Sequence, residues 1–459
     1  MSIINNALSG ALAAQAGLNT TSQNVSNVMT PGYTRQGVLL TSVQPLKSGA
    51  LSAGSGVTVP SLIRFSDSYK SLQMWRAASD LGQHSTSQPY MTQLEQVMGD
   101  DSSSLNNGLD TFFSALNAAS VEPTSSPLRQ QVITAADALA QRFNSLNQVL
   151  SNQRASVQQQ RTTIVSQVNT LTTDIAALNK QIAATQATGV NPSGLIDERD
   201  NKIDSLASMV AVQVVDQADG TRSVSLRSGQ PLVAGSIAST MSVQGNPDGS
   251  QTLTLAFAKE TFTLASGGLG GQLGGLDDME QNVLLPMMKS VTDMAQQMST
   301  QVNTQLQAGF GLTGAAGQAL FQFDATSVTG MLKVNSTITP QDLGFSSDAT
   351  TPGDSANLLQ IIGIQSQNVT TPWLGTVTLS DAATQLVGKL GMASQQNQAS
   401  LTTSQTVRNQ AEESWKSTSG VNNDEEAINL VQYQQMYQSN MKVIAVANTL
   451  FDATLQMMG

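Results

Sequence analysis

The chain has 459 residues, of which 12% are charged and 4% aromatic, with a net charge of −11, a single histidine and no cysteine. More than a third of it is Ser, Thr, Asn or Gln by subtraction, so its surface is built from uncharged polar groups. This composition excludes disulfides, thiolate zinc sites and a cysteine nucleophile, and without a run of Lys or Arg it makes nucleic acid and anionic membranes poor partners.

The length allows several domains. No apolar stretch approaches the roughly eighteen residues that a spanning helix needs, and the N-terminus, MSIINNALSG, lacks a basic leader followed by a compact apolar segment. Neither membrane insertion nor export by a cleaved signal peptide is expected.

In chain order, residues 3 to 28 predict a helix. Ile4, Leu8, Ala11, Leu18 and Val25 recur at steps of four, three and seven, and no proline intervenes. Thr30, Pro31, Gly32 and Tyr33 end it, because a residue before proline avoids the helical region and glycine supplies a turn. Extended chain and loops follow from Gln36 to Val59, then helices over Asp67 to Met98 and Leu105 to Ala119.

Residues 128 to 188 contain neither Gly nor Pro, and Phe143, Leu150, Val157, Ile164, Leu171 and Leu178 recur every seven residues. Leu139, Leu146, Val168, Ile175 and Ile182 join them, which predicts one long helix packed in a coiled-coil manner.

A charged helix, LIDERDNKIDSLASMV, leads to two β-branched segments turning at Asp219-Gly220 and at Asp248-Gly249, read as a small antiparallel β domain over 205 to 265. A Gly-rich linker, 267 to 275, returns the chain to a helix over 276 to 308 with a kink at Pro286. Residues 309 to 380 read as irregular with a few short strands, and a polar helix runs from Asp381 to about Ser417.

At the C-terminus, Asp424, Glu425 and Glu426 open a helix where acids suit its dipole. Leu430, Tyr437, Ile444, Phe451 and Met458 are spaced by seven, with Ala427, Gln434, Met441, Asn448 and Leu455 as a second series. A single helix of this length cannot bury its own stripe, and each large apolar side chain left wet forfeits roughly 1.5 to 3 kcal/mol. A partner helix is expected, and because the N-terminal face is Ala-rich and thin, neighbouring subunits are expected to supply more.

The motifs that suggest chemistry are weak. GFGLTG, with Gly309, Gly311 and Gly314, follows a helix instead of a strand and reads as loop glycines, not a dinucleotide site. His84, the lone histidine, reads as an exposed helix residue, and Asp197, Glu198, Arg199, Asp200 and Asp204 read as local ion pairing on an exposed helix start. No catalytic, cofactor or metal residue is assigned; an enzyme insertion within 196 to 380 lacks a nucleophile motif, and an adhesive β domain is compatible with a structural role.

NVSNVMTPGYTRQ, from Asn24 through Thr30, Pro31, Gly32, Tyr33, Arg35 and Gln36, resembles the N-terminal signature of bacterial flagellar axial proteins. GLIDERDNKIDSLASMVAVQVV, SGQPLVAGS and SGVNNDEEAINLVQYQQMYQSNMKVIAVANTLFDATL are similar, in the same order, to the central and C-terminal regions of the flagellar hook-associated protein 1 family. The N-terminal signature alone does not separate this family from hook or distal rod proteins, and Met29 stands where the family commonly has Asn.

The resemblance implies a mainly α fold with an inserted small antiparallel β domain. Residues 1 to 40 with 424 to 459 would form a channel-lining terminal coiled coil, 41 to 195 with 276 to 423 a long-helix bundle including 309 to 380, and 196 to 275 an outward β domain, with the outer domain of longer members missing or reduced. It implies a non-enzymatic ring oligomer joining hook to filament, contacting the hook protein and a second junction protein. It also implies export through the flagellar type III apparatus and a cytoplasmic chaperone on the last helix, at Leu430, Tyr433, Tyr437, Ile444 and Phe451.

Overall fold

The computed structural model describes residues 2–44, 54–101 and 104–458. Met1, Gly459, the part of the expected loop region at 45–53 and the side chain of Met458 lie outside the described residues.

Helix α1 spans Ser2–Ser26 and is followed by a hairpin, β1 (Gln36–Ser42) with β2 (Val57–Arg64), which pair antiparallel. Helix α2, Ser68–Met98, starts where the Asp67 carboxylate accepts from the Tyr69 and Lys70 amides, satisfying two amides that have no partner within the helix. Helices α3 (Leu105–Val121), α4 (Ser126–Ala187) and α5 (Ser193–Met209) complete the first half of a bundle.

The 62 residues of α4 would extend about 93 Å as an ideal helix. Its expected heptad is the buried stripe: Phe143, Leu150, Val157, Ile164 and Leu178 are buried, as are Leu139, Leu146, Val168, Ile175 and Ile182, and Leu171 is half-buried. The stripe meets several elements in turn, among them α3, α5 and later sheets, and so acts as the spine of the molecule.

The β region, read from sequence as a small antiparallel β domain over 205 to 265, is built of two antiparallel sheets. Strands β3 (Val212–Asp216), β4 (Arg222–Leu226), β5 (Pro231–Ala234) and β6 (Ile237–Ala238) form the first, in that order. Strands β7 (Thr240–Gly245), β8 (Gln251–Phe257) and β9 (Glu260–Leu264) form the second. Both expected turns are present, with Gly220 at φ 78° and Gly249 at φ 75°.

The linker expected over 267 to 275 is partly helix: α6 spans Gly271–Asp278. Its glycines serve close packing, since a Cβ on Gly275 would stand 2.2 Å from the Gln83 carbonyl of α2. Beside the kink expected at Pro286, a π-helical segment, Met279–Leu284, joins α6 to α7 (Leu285–Ala308), and Pro286, which has no amide to donate, follows directly on that segment.

Residues 309 to 380 are more ordered than expected. Strands β10 (Phe321–Phe323) and β11 (Leu332–Val334), helix α8 (Ala356–Gly363), and strands β12 (Asn368–Thr371) and β13 (Gly375–Thr378) bury Phe321, Leu332, Phe345, Leu358 and Val369 against the bundle. Gly309 and Gly311 lie in this packed loop, against the Gly344 and Gln341 carbonyls. Buried Arg129 of α4 pins the segment by donating to the carbonyls of Pro123, Pro340 and Leu343 at 2.5 to 3.0 Å, with Phe345 stacked 4.5 Å below its guanidinium. Helix α9, Leu379–Ser419, then runs back along α2, and α10, Asn423–Met458, lies beside α1.

His84 is half-buried instead of exposed, and its Nδ1 lies 2.8 Å from Asn397 Oδ1 across the α2–α9 contact. His84 lies on the side of α2 that α9 covers, where Asn397 meets it.

Candidate assembly interface

The two terminal helices run antiparallel, and they meet through small residues. On α1 the buried positions include Ala7, Gly10, Ala14, Gly17, Thr21 and Asn24, at alternating steps of three and four. A Cβ on Gly10 would stand 2.6 Å from the Asn440 amide, and one on Gly17 would stand 2.6 Å from the Tyr433 ring. The two glycines are seven residues apart and so are their partners, so each works as a socket for one α10 side chain.

The covered face of α10 carries Glu426, Asn429, Tyr433, Met436, Asn440, Ile444 and Ala447. Among the described residues of the two series read from the sequence, only Ile444 lies there. Leu430, Tyr437, Met441, Phe451 and Leu455 are exposed, as are Leu8 and Val25 of α1; Ile4 and Leu18 are half-buried and Ala11 is buried. The expected seam is thus displaced: small and polar residues join the helices, because they permit the closest approach, and the large apolar side chains face outward.

The hairpin packs along another side of α1. Ser9 Oγ accepts from the Val57 amide at 3.1 Å, and Asn6 Nδ2 donates to the Gly54 carbonyl at 3.0 Å. At the far end Asn24, buried, behaves as a strand residue would: its Nδ2 donates to the Gln36 carbonyl at 2.8 Å, and its Oδ1 accepts from the Gln36 amide at 3.0 Å and from Tyr33 Oη at 2.9 Å.

The turn between them is fixed from outside. Gly32 has φ +73°, and a Cβ there would fall 1.8 Å from Asn201 Oδ1, while Asn201 Nδ2 donates to the Pro31 carbonyl at 3.1 Å. Only glycine meets both demands. Thr30 and Pro31 are exposed; Tyr33, Arg35 and Gln36 are half-buried. The Tyr33 hydroxyl is pushed up to about 12 by burial and by the negative charges of Asp197 and Glu426.

The charged helix start read as an exposed surface is instead a buried ion network. Asp197 Oδ1 accepts from Arg64 Nε at 2.9 Å and Nη2 at 2.7 Å, and its Oδ2 accepts from the Thr34 amide at 3.1 Å. Asp200 accepts from Arg64, Arg199 and Arg222, and Asp204 takes both Nη1 and Nη2 of Arg408 at 2.7 Å. Of the five, Glu198 alone is exposed. The partners come from β2, β4 and α9, distances along the chain that local charge patterning does not reveal. Burial pushes the Asp197 carboxyl upward, against the pull of Arg64 and the Thr34 amide. Removing one member of such a network typically costs about 3 to 5 kcal/mol, because it leaves an uncompensated buried charge.

Both chain crossings between the terminal helices and the bundle lie here. The Arg35 amide donates to the Ser419 carbonyl at 2.8 Å, Arg35 Nη1 donates to Glu425 Oε2, and the Arg35 guanidinium lies 4.5 Å over the Phe65 ring. Glu426, read with Asp424 and Glu425 as pairing with the helix dipole, is 1% exposed. Beside the crossings is a cleft of about 490 Å³, lined by Met29, Pro31, Met74, Trp75, Arg408, Trp415 and Lys416 among others.

A family model described as the flagellar hook-associated protein FlgK helical domain matches residues 91–321. The chain belongs to that family. A second model, the flagellar basal body rod FlgEFG protein C-terminal, matches residues 417–457, which hold nearly all of α10. The chain is 27% identical to flagellar hook-associated protein 1 of Salmonella typhimurium over 556 residues, covering 99% of each chain. It is 27% identical to that of Bacillus subtilis over 494 residues, covering 97% of this chain and 96% of the relative. Both alignments are longer than the chain itself, so the relatives carry segments with no counterpart here. The solved structure of the flagellar hook junction protein FlgK from Burkholderia pseudomallei shares the fold, with a TM-score of 0.67 at 18% identity over 75% of this chain and 100% of that one.

The protein is therefore a structural component of the bacterial flagellum, of the hook-associated kind and mainly α in fold with small antiparallel sheets. Among the described residues no helix is long and apolar enough to cross a membrane. Sequence reasoning missed Gly10, Gly17 and Asn440, and the network partners Arg64, Arg222 and Arg408; the signal for the two glycines was the three-and-four spacing of small residues on α1, which carries no hydrophobic pattern.

Proposed function

We propose that the chain forms the junction between hook and filament as a ring of copies joined through their terminal helices, without catalytic activity. The observation that carries this reading is the apolar row that α1 and α10 leave uncovered: Leu8 at 49% exposure, Phe451 at 61% and Leu455 at 56%, beside Val25, Leu430, Tyr437 and Met441. Fully burying each such side chain is worth roughly 1.5 to 3 kcal/mol, and neighbouring copies presenting the same row supply the cover. Ala11 and Ile444 support the row from within the pair, Ile4 and Leu18 flank it, and Met458 continues the series in sequence.

In this reading the turn at Thr30, Pro31, Gly32 and Tyr33, with Arg35 and Gln36, carries the chain from the channel-lining terminal unit to the bundle, and the two sheets face outward. The hook protein and a second junction protein are the axial partners. The chain passes unfolded through the flagellar type III apparatus from a transient cytoplasmic pool, where a chaperone holds α10 at Leu430, Tyr433, Tyr437, Ile444 and Phe451. Tyr433 and Ile444 are covered by α1 in the folded chain, so chaperone and α1 compete for them.

The match of α10 to the rod-type model favours a second reading, a hook or distal rod protein; the match of the helical region to the hook-associated model favours the junction. Deleting the gene and examining cells by negative-stain microscopy, with a flagellin immunoblot of the medium, separates them. Hooks without filaments and flagellin in the medium are expected. Absent hooks would move the protein to the rod or hook, and intact filaments would overturn both readings.

A further inference from the structure

Helix α10 meets α1 along one side, which holds Tyr433, Met436, Asn440 and Ala447. Winding the sequence at about 3.6 residues per turn divides the rest of its surface into three. On one side of the covered face lies the apolar row of Leu430, Tyr437, Met441 and Leu455. On the other side lies a second apolar flank that the helix pair leaves unused: Ile428, Val443, Val446, Leu450 and Met457, 43 to 82% exposed. Each flank is about a quarter turn from the covered face, so the two point in nearly opposite directions. Between them, away from α1, runs a polar stripe of Gln434, Gln438, Lys442, Asp452 and Gln456, with Val431 as its one large apolar member.

Gly10 faces Asn440 and Gly17 faces Tyr433, so partner numbers add to 450 and Ser2 stands level with Asn448. Beyond that point α10 continues as a tip of about 15 Å, where Leu450, Phe451, Leu455 and Met457 are 56 to 82% exposed. Lys442 and Asp452 are the only charged residues from 427 to 458, and both stand on the stripe. Covering either flank therefore takes no charge out of water, which would oppose the contact. A helix packed on one side and apolar on two more is one that other helices enclose.

We propose that the second flank of one copy seats against the first flank of the next, side by side around the ring. The inference rests on the assembly reading above and names the contact that closes it. Copies that met by the first row alone would pair two by two, because a face that meets its own like is self-complementary. A ring needs two different faces on each copy, and α10 carries them in opposite directions. Copies standing parallel present the two flanks over the same length of helix. Val443, Val446, Leu450 and Met457 stand at steps of three, four and seven, the spacing at which parallel helices interlock. The polar stripe is left to the water inside the ring, and the axial ends of the ring stay free for other proteins.

The chain has no cysteine, so engineered thiols report the contact without background. Met441→Cys or Leu455→Cys on the first flank is combined in the full chain with one of Ile428→Cys, Val443→Cys, Val446→Cys, Leu450→Cys or Met457→Cys on the second, a series that scans the axial offset between neighbours. Flagella from cells carrying each double variant are oxidised mildly and run without reductant, beside the single variants. Disulfide-linked dimers and higher ladders from at least one double variant, with every single variant monomeric, are expected. Dimers from a single variant would mean that like faces meet, and monomers from every double variant in assembled flagella would mean that the flanks pack elsewhere; either overturns the proposal. If the thiol variants do not assemble, Val446→Asp puts the same question. It is expected to leave the circular dichroism of the free chain unchanged and to abolish its incorporation, and incorporation equal to that of the unmodified chain would overturn the proposal. Absence of the unmodified chain from the junction would instead overturn the assembly reading.

Discussion

Gly10 and Gly17 set the distance between the terminal helices, and their cost in helix propensity, about 1 kcal/mol each relative to alanine, is offset by what stands over them. Tyr433 covers Gly17 so closely that any side chain there must displace the ring. Gly17→Val is expected to weaken the α1–α10 contact by about 1 to 3 kcal/mol, the usual range for overpacking. Hydrogen exchange along α10 measures this, with faster exchange in Gly17→Val and partial recovery when Tyr433→Ala opens the space. Unchanged protection in Gly17→Val would mean that the pair is held by other contacts. The same residue scale explains Asn24, whose side chain accepts and donates as a peptide group would and so ends a helix and begins a strand with one amide.

At the scale of elements, α4 and α10 carry similar heptads and opposite fates. Leu150 of the α4 heptad is fully buried, whereas Phe451 of the α10 heptad is 61% exposed, as is Leu450 beside it. Leu150→Ala is expected to lower the stability of the chain by about 2 to 5 kcal/mol, through lost transfer energy and a cavity, whereas Leu450→Ala should stay within about 0.5 kcal/mol. Urea denaturation of the two variants tests the contrast, and a comparable loss from both would mean that the tip is covered in the free chain. Periodicity made both helices legible in the sequence, including the ends of α2, α9 and α10 to within a few residues. It could not say which face of α10 meets α1, because the covering partner presents Ala, Gly, Thr and Asn and so leaves no hydrophobic trace. The ion network failed for a different reason: Asp197 and Asp200 lie within two residues of Arg199 in sequence, but their partners Arg64 and Arg222 become neighbours only when β2 and β4 are in place.

Across the whole molecule, buried charge joins parts that the chain order separates. Glu280, in the π-helical segment, is 1% exposed; it accepts from Arg154 and Gln158 at 2.8 Å and pairs with Arg161 at 2.7 Å. Arg154 and Gln158 also donate to the Gly249 carbonyl, which ties the turn of the second sheet to α4. Burial raises the Glu280 carboxyl, but Arg154 and Arg161 outweigh it and hold the group below its ordinary value of 4.5. A depressed carboxylate contributes stability that is present above that ordinary value and lost as pH falls through the folded one. Acidification below about pH 4.5 is therefore expected to loosen β7–β9 from α4, with faster amide exchange around Gly249. Glu280→Gln should remove this pH-dependent step, and an identical acid response in that variant would assign it to other carboxylates.

The helix pair and the bundle are joined by two crossings that lie side by side, at Arg35 and Ser419; the first is braced by Asp197 and Asn201 of α5, and the second is tied to the first by the Arg35–Ser419 bond. In mechanical terms this is a doubled strap with one band anchored and the other stitched to it. A force that separates the helix pair from the bundle is carried to α5 by the Thr34–Asp197 and Pro31–Asn201 bonds of the first crossing, and the second shares that anchor only through the Arg35–Ser419 bond.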